Sequence, residues 1–163
     1  MMEFAVPQQE HHFLQRLLGD WVVTSATGNE DCGPDSPDDR WTETVRSLDG
    51  LWYVAEGRGK MPGGRPGSVL MTLGYDPQAG HYVGSWVGSM MTKLWVYKGW
   101  IEPDGKTLTL EAEGPDFADP SKTAIYHDAI TFLDDNHRRF AGSVRQPDGS
   151  FHTFMTSEMQ RQS

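Results

Sequence analysis

Cysteine is nearly absent from this 163-residue chain: Cys32 stands alone, so no disulfide can form within the chain and no thiolate cluster can hold a metal. Positive charge is scarce as well. Fourteen Lys and Arg face twenty-three Asp and Glu, a formal charge of −9 with a pI near 5.0, which argues against attraction to nucleic acid or to an anionic lipid surface. No stretch approaches the ~20 apolar residues of a membrane span. The opening segment MMEFAVPQQEHHF carries neither a basic leader nor a long apolar run, and a soluble, cytoplasmic protein is the expectation.

The sequence also lacks the common signatures of catalysis. There is no Gly-x-Ser-x-Gly elbow and no phosphate-cradling or dinucleotide glycine pattern; Gly57-x-Gly59 and Gly63-Gly64 fall in a strand-like run and a turn. The six histidines have no metal spacing, since His11 and His12 are adjacent and point to different faces of a helix. Asp31, Asp35, Asp38 and Asp39 resemble a cation loop only in composition, because Pro34 and Pro37 interrupt the ordered oxygen spacing that calcium needs. Neither metal nor cofactor is expected.

What remains is rich in strand and turn signals. The centre, residues 69–102, reads VLMTLGYDPQAGHYVGSWVGSMMTKLWVYKGWIE, three aromatic-rich extended runs separated by Asp76-Pro77-Gln78-Ala79-Gly80 and by Gly88-Ser89. Asp49-Gly50 between two alternating runs is a strong hairpin signal. Further turns fall at Pro103-Asp104-Gly105, Asp134-Asp135-Asn136 and Pro147-Asp148-Gly149. One helix is predicted over 7–18, where Pro7 suits a helix start and Phe13, Leu14, Leu17 and Leu18 form an apolar stripe. Segment 29–39, with five acidic residues and two prolines, reads as a mobile surface loop.

Turn signals recurring about every ten residues give nine or ten consecutive strands in a single domain spanning 1–163, and favour an all-β, up-and-down antiparallel barrel over a sandwich with long crossovers. Closure also removes the exposed edges of the sheet. Several strands carry large apolar groups on both faces. Tyr82 and Trp86 oppose Val83 and Val87, and Trp95 and Tyr97 oppose Leu94, Val96 and Trp100. Either the interior lines a cavity while a partner subunit covers the outside, or the barrel is collapsed with some aromatics on its surface.

Three local patterns resemble a known family: Leu17-Leu18-Gly19-Asp20-Trp21, Thr44-Val45-Arg46-Ser47-Leu48-Asp49-Gly50, and Leu73-Gly74-Tyr75-Asp76-Pro77 followed by Tyr82 and Trp86. Together they are similar to the bacterial domain-of-unknown-function family numbered fifteen seventy-nine, from about residue 10 to the C-terminus. That family is placed with the calycins, the lipocalin and fatty-acid-binding-protein superfamily, so the resemblance implies a closed barrel in which Trp21 packs across the floor. It brings no established activity.

The leading expectation is an intracellular barrel that binds a small, largely apolar ligand against Trp21, Trp52, Trp86, Trp95 and Tyr97. Arg139 and Arg145 share a strand face and are candidates for meeting a ligand carboxylate. His127 and His152 are the candidate axial ligands for haem, held in some ten-stranded barrels with a similar Gly-x-Trp start. Here Trp21 is followed by Val-Val-Thr-Ser instead of the fuller glycine pattern of those proteins, and a solvent-facing histidine is the simpler reading. A cavity enzyme using His127 with Asp128 or Glu56, and a homodimerising module without ligand, are the alternatives. Adjacent on a strand, His127 and Asp128 face opposite ways and cannot form a simple dyad. Titratable groups inside the cavity favour the enzyme; a dry aromatic cavity favours carriage.

Overall fold

The computed structural model describes residues 2–27 and 40–162; the acidic segment 29–39 and Cys32 lie outside the described residues. Among the described residues ten strands follow one helix. They are β1 (Gly19–Thr27), β2 (Thr42–Leu48), β3 (Trp52–Lys60), β4 (Pro66–Asp76), β5 (His81–Gly88), β6 (Trp95–Ile101), β7 (Thr107–Pro115), β8 (Thr123–Asp134), β9 (His137–Arg145) and β10 (Phe151–Arg161). Each pairs antiparallel with its neighbour in sequence, and β1 pairs with β10 to close the ring, with Trp21 opposite Arg161. The up-and-down barrel read from the turn spacing is the observed fold. At the β2–β3 turn, Asp49 and Gly50 both adopt left-handed backbone (φ 53° and 76°), the mirror-image geometry that suits the twist of a hairpin.

The helix is shorter than predicted. Regular α1 runs only over Gln9–Phe13 and tightens into a 3₁₀ turn at Leu14–Leu17. Gln8 caps it, its backbone N–H donating to His11 Nδ1 at 2.9 Å, while Pro7 lies before the helix and packs against Gly50. This segment lies across one mouth of the barrel. Tyr82 donates its hydroxyl to the Glu10 carbonyl (2.8 Å), His11 meets Tyr75 edge-on, and Phe13 meets Phe132 edge-on at 5.6 Å. Leu14 and Leu17 are buried in the core beneath it.

Above the helix, Trp21 is 1% exposed. Its indole N–H donates to the Leu17 carbonyl (2.8 Å), and the Arg138 and Arg161 guanidinium carbons lie 4.5 and 4.3 Å from its ring centroid. Arg138 also forms an ion pair with Glu43, while Arg161 donates to the carbonyls of Arg16, Leu18 and Asp135. The floor is therefore a cation–aromatic stack wrapped in Val45, Tyr53, Leu73, Leu108, Ile130 and Phe132, all buried. This agrees with the floor position that the family resemblance implied for Trp21.

Close approach of neighbouring strands leaves no room for a side chain at Gly84: a Cβ there would sit 2.2 Å from the Thr72 carbonyl oxygen. A backbone atom cannot swing aside as a side-chain tip can. Gly84→Ala is expected to destabilise the barrel by about 3 kcal/mol, at the upper end of overpacking costs, measurable as a lowered urea midpoint.

Candidate functional site

Alternation along the strands decides what the barrel can hold. Inward positions include Trp86 on β5, Trp95 and Tyr97 on β6, Leu110 and Ala112 on β7, Tyr126 and Asp128 on β8, and Phe140 and Val144 on β9. At the end closed by the helix, Leu14 and Leu17 are fully enclosed. Partly buried apolar residues stand at both ends, Phe13, Leu18 and Tyr75 beside the helix and Met71, Trp86 and Val144 toward the opposite mouth. Trp95 lies over Gly114 and meets Tyr126 edge-on at 5.3 Å, and its indole N–H points to Met91 Sδ at 3.3 Å. Trp86 is its cross-strand partner.

Midway along the interior, above the floor, sits a polar pair. The Tyr97 hydroxyl donates to Asp128 Oδ2 at 2.5 Å across the barrel interior. Protein atoms surround the Asp128 carboxyl on nearly every side, yet the residue keeps some accessible surface. Burial raises its pKa to about 6, against smaller lowering effects from the Tyr97 hydrogen bond and from His127. Burial, reinforced by the adjacent carboxylate, drives the Tyr97 phenol well above its usual value. Near neutral pH the pair is a phenol donating to a largely ionised carboxylate.

Charge elsewhere in the interior is matched: Glu43 with Arg138, and Arg161 with backbone carbonyls. Among the described residues no cation pairs with Asp128.

Three of the residues singled out from sequence lie elsewhere. Trp52 is on the outer wall, 44% exposed, where it covers Gly74 of the next strand; Tyr53 takes the inward position. His127 also faces outward, bonded to Glu111 at 2.9 Å, stacked on Phe151 with centroids 3.8 Å apart and edge-on to Trp100. Arg139 pairs with Glu158 on the outer wall at 2.9 Å, and it is Arg138 that enters the barrel. Trp86, Trp95 and Tyr97 do come together inside, and Trp21 is inside but sealed in the floor. Asp128, weighed in the sequence only as a partner for His127, is the polar centre of this interior.

Two open grooves of about 410 and 400 Å³ mark the outside. The first runs along β5–β7 beside Val83, Val96, Lys98 and Glu111; the second lies at the upper rim beside Asp116, Arg145 and Pro147. Both are shallow and edged with charge.

The model of a family described as a protein of unknown function, DUF1579, matches residues 6–161. The chain belongs to this family. As a DUF1579 protein it matches no curated protein significantly. Among solved structures it is similar to a redesigned β-barrel at 18% identity, with 91% of this chain and 94% of that one covered and a TM-score of 0.45. A second, the redesigned β-barrel mFAP1 bound to DFHBI, has 15% identity, 90% and 96% coverage and a TM-score of 0.43. Among the described residues of this DUF1579 chain, no helix is long and apolar enough to cross a membrane, and no three His, Cys, Asp or Glu side chains gather as a metal would require.

Proposed function

We propose that this barrel binds a small, largely apolar molecule in the upper half of its interior, against Trp86, Trp95 and Tyr126, with the Tyr97–Asp128 pair orienting its polar end. The observation that carries the reading is the placement of that pair. A carboxylate enclosed by an apolar wall without a cation raises the free energy of the ionised native state, and a fold that needed only a core would do better with a hydrophobe there. The helix across the lower mouth favours entry from the opposite end, past Trp86 and Trp95.

Titration with the uncharged probe N-phenyl-1-naphthylamine tests this. Saturable one-to-one binding with quenching of tryptophan emission is expected. Trp86→Ala weakens it about tenfold, the loss of one large aromatic contact, while Trp52→Ala, on the outer wall, leaves it unchanged. Absence of saturable binding, or equal losses from the two variants, overturns the reading.

A second reading, catalysis, is favoured by the same carboxylate, the kind of interior titratable group set out above as marking an enzyme, because a buried group titrating near pH 6 is suited to moving a proton. A ligand released chemically altered, with the conversion lost in Asp128→Asn, would replace carriage by catalysis.

A further inference from the structure

The polarity of the interior says which kind of apolar molecule fits, an inference that rests on the binding role proposed above. An ionised carboxylate offers about four acceptor positions and no donor. Among the described residues Asp128 receives one hydrogen bond, from Tyr97, and keeps acceptor positions to spare together with some accessible surface. From the neighbouring elements Asp128 is faced by Tyr97 on β6, Leu110 opposite it on β7 and Gly142 opposite it on β9, with Tyr126 and Ile130 two positions away on its own strand. None of these carries positive charge. The cations that do enter the barrel, Arg138 and Arg161, are held at the floor by Trp21, Glu43 and backbone carbonyls. His127, adjacent in sequence, points to the outside and is engaged with Glu111.

One layer above the carboxylate, about 7 Å along the strands, stand the rings of Trp95 and Tyr126, with Trp86 across from Trp95. Aromatic faces carry partial negative charge and attract cations. Both features select the same ligand charge, and an anionic ligand would meet an unscreened carboxylate at the base of the cavity.

We infer that the interior site takes a small amphiphilic cation, an apolar body carrying a protonated amine, with the ammonium donating to Asp128 and the body lying against Trp86, Trp95 and Tyr126. A charge-assisted bond to a desolvated carboxylate is roughly twice as strong as a neutral one, which is the basis of the selectivity. The ammonium would supply the cation that the interior lacks, and binding would relieve the cost of holding Asp128 ionised.

Octylamine, octanol and octanoate share one chain length and differ in the head group, so their competition with N-phenyl-1-naphthylamine for the intact protein at pH 7.5 isolates head-group charge. Octylamine is expected to displace the probe at least about tenfold more effectively than octanol, and octanoate least of all. Asp128→Asn brings the amine-to-alcohol ratio to about one. Tyr97→Phe, which keeps the carboxylate and frees an acceptor position, retains the preference and serves if the Asp128 variant does not fold. Arg139→Ala, on the outer wall, changes none of the three. Below about pH 5, where Asp128 takes up a proton, the native preference for the amine disappears. If octanol or octanoate displaces the probe as well as octylamine does, or if the preference survives in Asp128→Asn, the amine inference is overturned while the binding role stands. If the probe itself never binds, both fall.

Discussion

Trp21→Ala is expected to unfold the barrel at ordinary temperature. Truncating a fully buried tryptophan costs about 3–5 kcal/mol through lost transfer energy and the cavity left behind. Here the ring is also the surface on which two guanidinium groups rest, and its removal leaves Arg138 and Arg161 against a void. Each exposed cation–aromatic contact is worth ~0.5–1 kcal/mol and more when desolvated, so the total, about 4–7 kcal/mol, matches the low end of the 5–15 kcal/mol that holds a typical domain together. Circular dichroism and urea titration of the purified variant check this. Trp21→Phe keeps a stacking face but loses the hydrogen bond to Leu17 and part of the volume, and an intermediate loss of about 2 kcal/mol is expected. A Trp21→Ala protein with native stability would mean that the cation–aromatic stack does not hold the floor.

Asp128→Asn is expected to stabilise the protein, and to do so only above acidic pH. The carboxyl titrates near 6 in the folded chain against 3.8 for the unperturbed group. Between those values the native state holds more protons than the unfolded state, so native stability falls as pH rises through the interval. Below about pH 4 the carboxyl is protonated in both states and the penalty vanishes; above about pH 6 the penalty is complete, at about 3 kcal/mol for a shift of this size. Asparagine keeps an acceptor for the Tyr97 hydroxyl and has no charge to bury. At pH 8 the variant therefore gains up to about 3 kcal/mol, or roughly 6–10 °C in Tm for a chain of this length, and at pH 4 almost nothing. Melting curves at the two pH values decide the matter. A gain independent of pH would show that the ionised carboxylate is not what costs the native state its stability.

A substitution that stabilises the fold while removing an interior charge that no cation matches separates what the barrel needs to stand from what it needs to bind. Asp128 belongs to the second group, Trp21 to the first.

The architecture was legible because turn chemistry is local. Asp49-Gly50, Pro103-Asp104-Gly105 and Pro147-Asp148-Gly149 all fall between strands, and the meander from β4 to β6 follows the three central aromatic runs. The helix start was read too early because Pro7, acceptable at a first helical position, instead supports the β2–β3 turn from outside. The candidate site was harder to place, since large groups on both faces of a strand hide which face points inward. Trp52, Arg139 and His127 each stand one position from an inward residue: Tyr53, Arg138 and Asp128.

A finer signal was present. Trp52 shares its face with Glu56 and Arg58, which would not line an apolar core together, whereas Tyr53 shares its face with Ala55 and Gly57. Arg139 sits with Ser143 and Arg145, while Arg138 sits with Phe140, Gly142 and Val144. Tyr126, Ile130 and Phe132 likewise mark the face of Asp128. Judging a face by the company a residue keeps over the whole strand, instead of by the residue alone, recovers all three.

Closure of the ring through β1 and β10 also has a temporal side. The hydrogen bond that fastens Arg161 to the Leu18 carbonyl spans 143 positions of sequence. At translation rates of about 5–20 residues per second, the first strand and its tryptophan wait roughly 7–30 s for the partner that completes them. Until then the nascent chain is an open, twisted sheet with two unsatisfied edges and an unsealed apolar side. A helical chain of equal length closes its contacts locally, so this barrel is expected to fold more slowly, its sealing contact being one of the most distant in sequence.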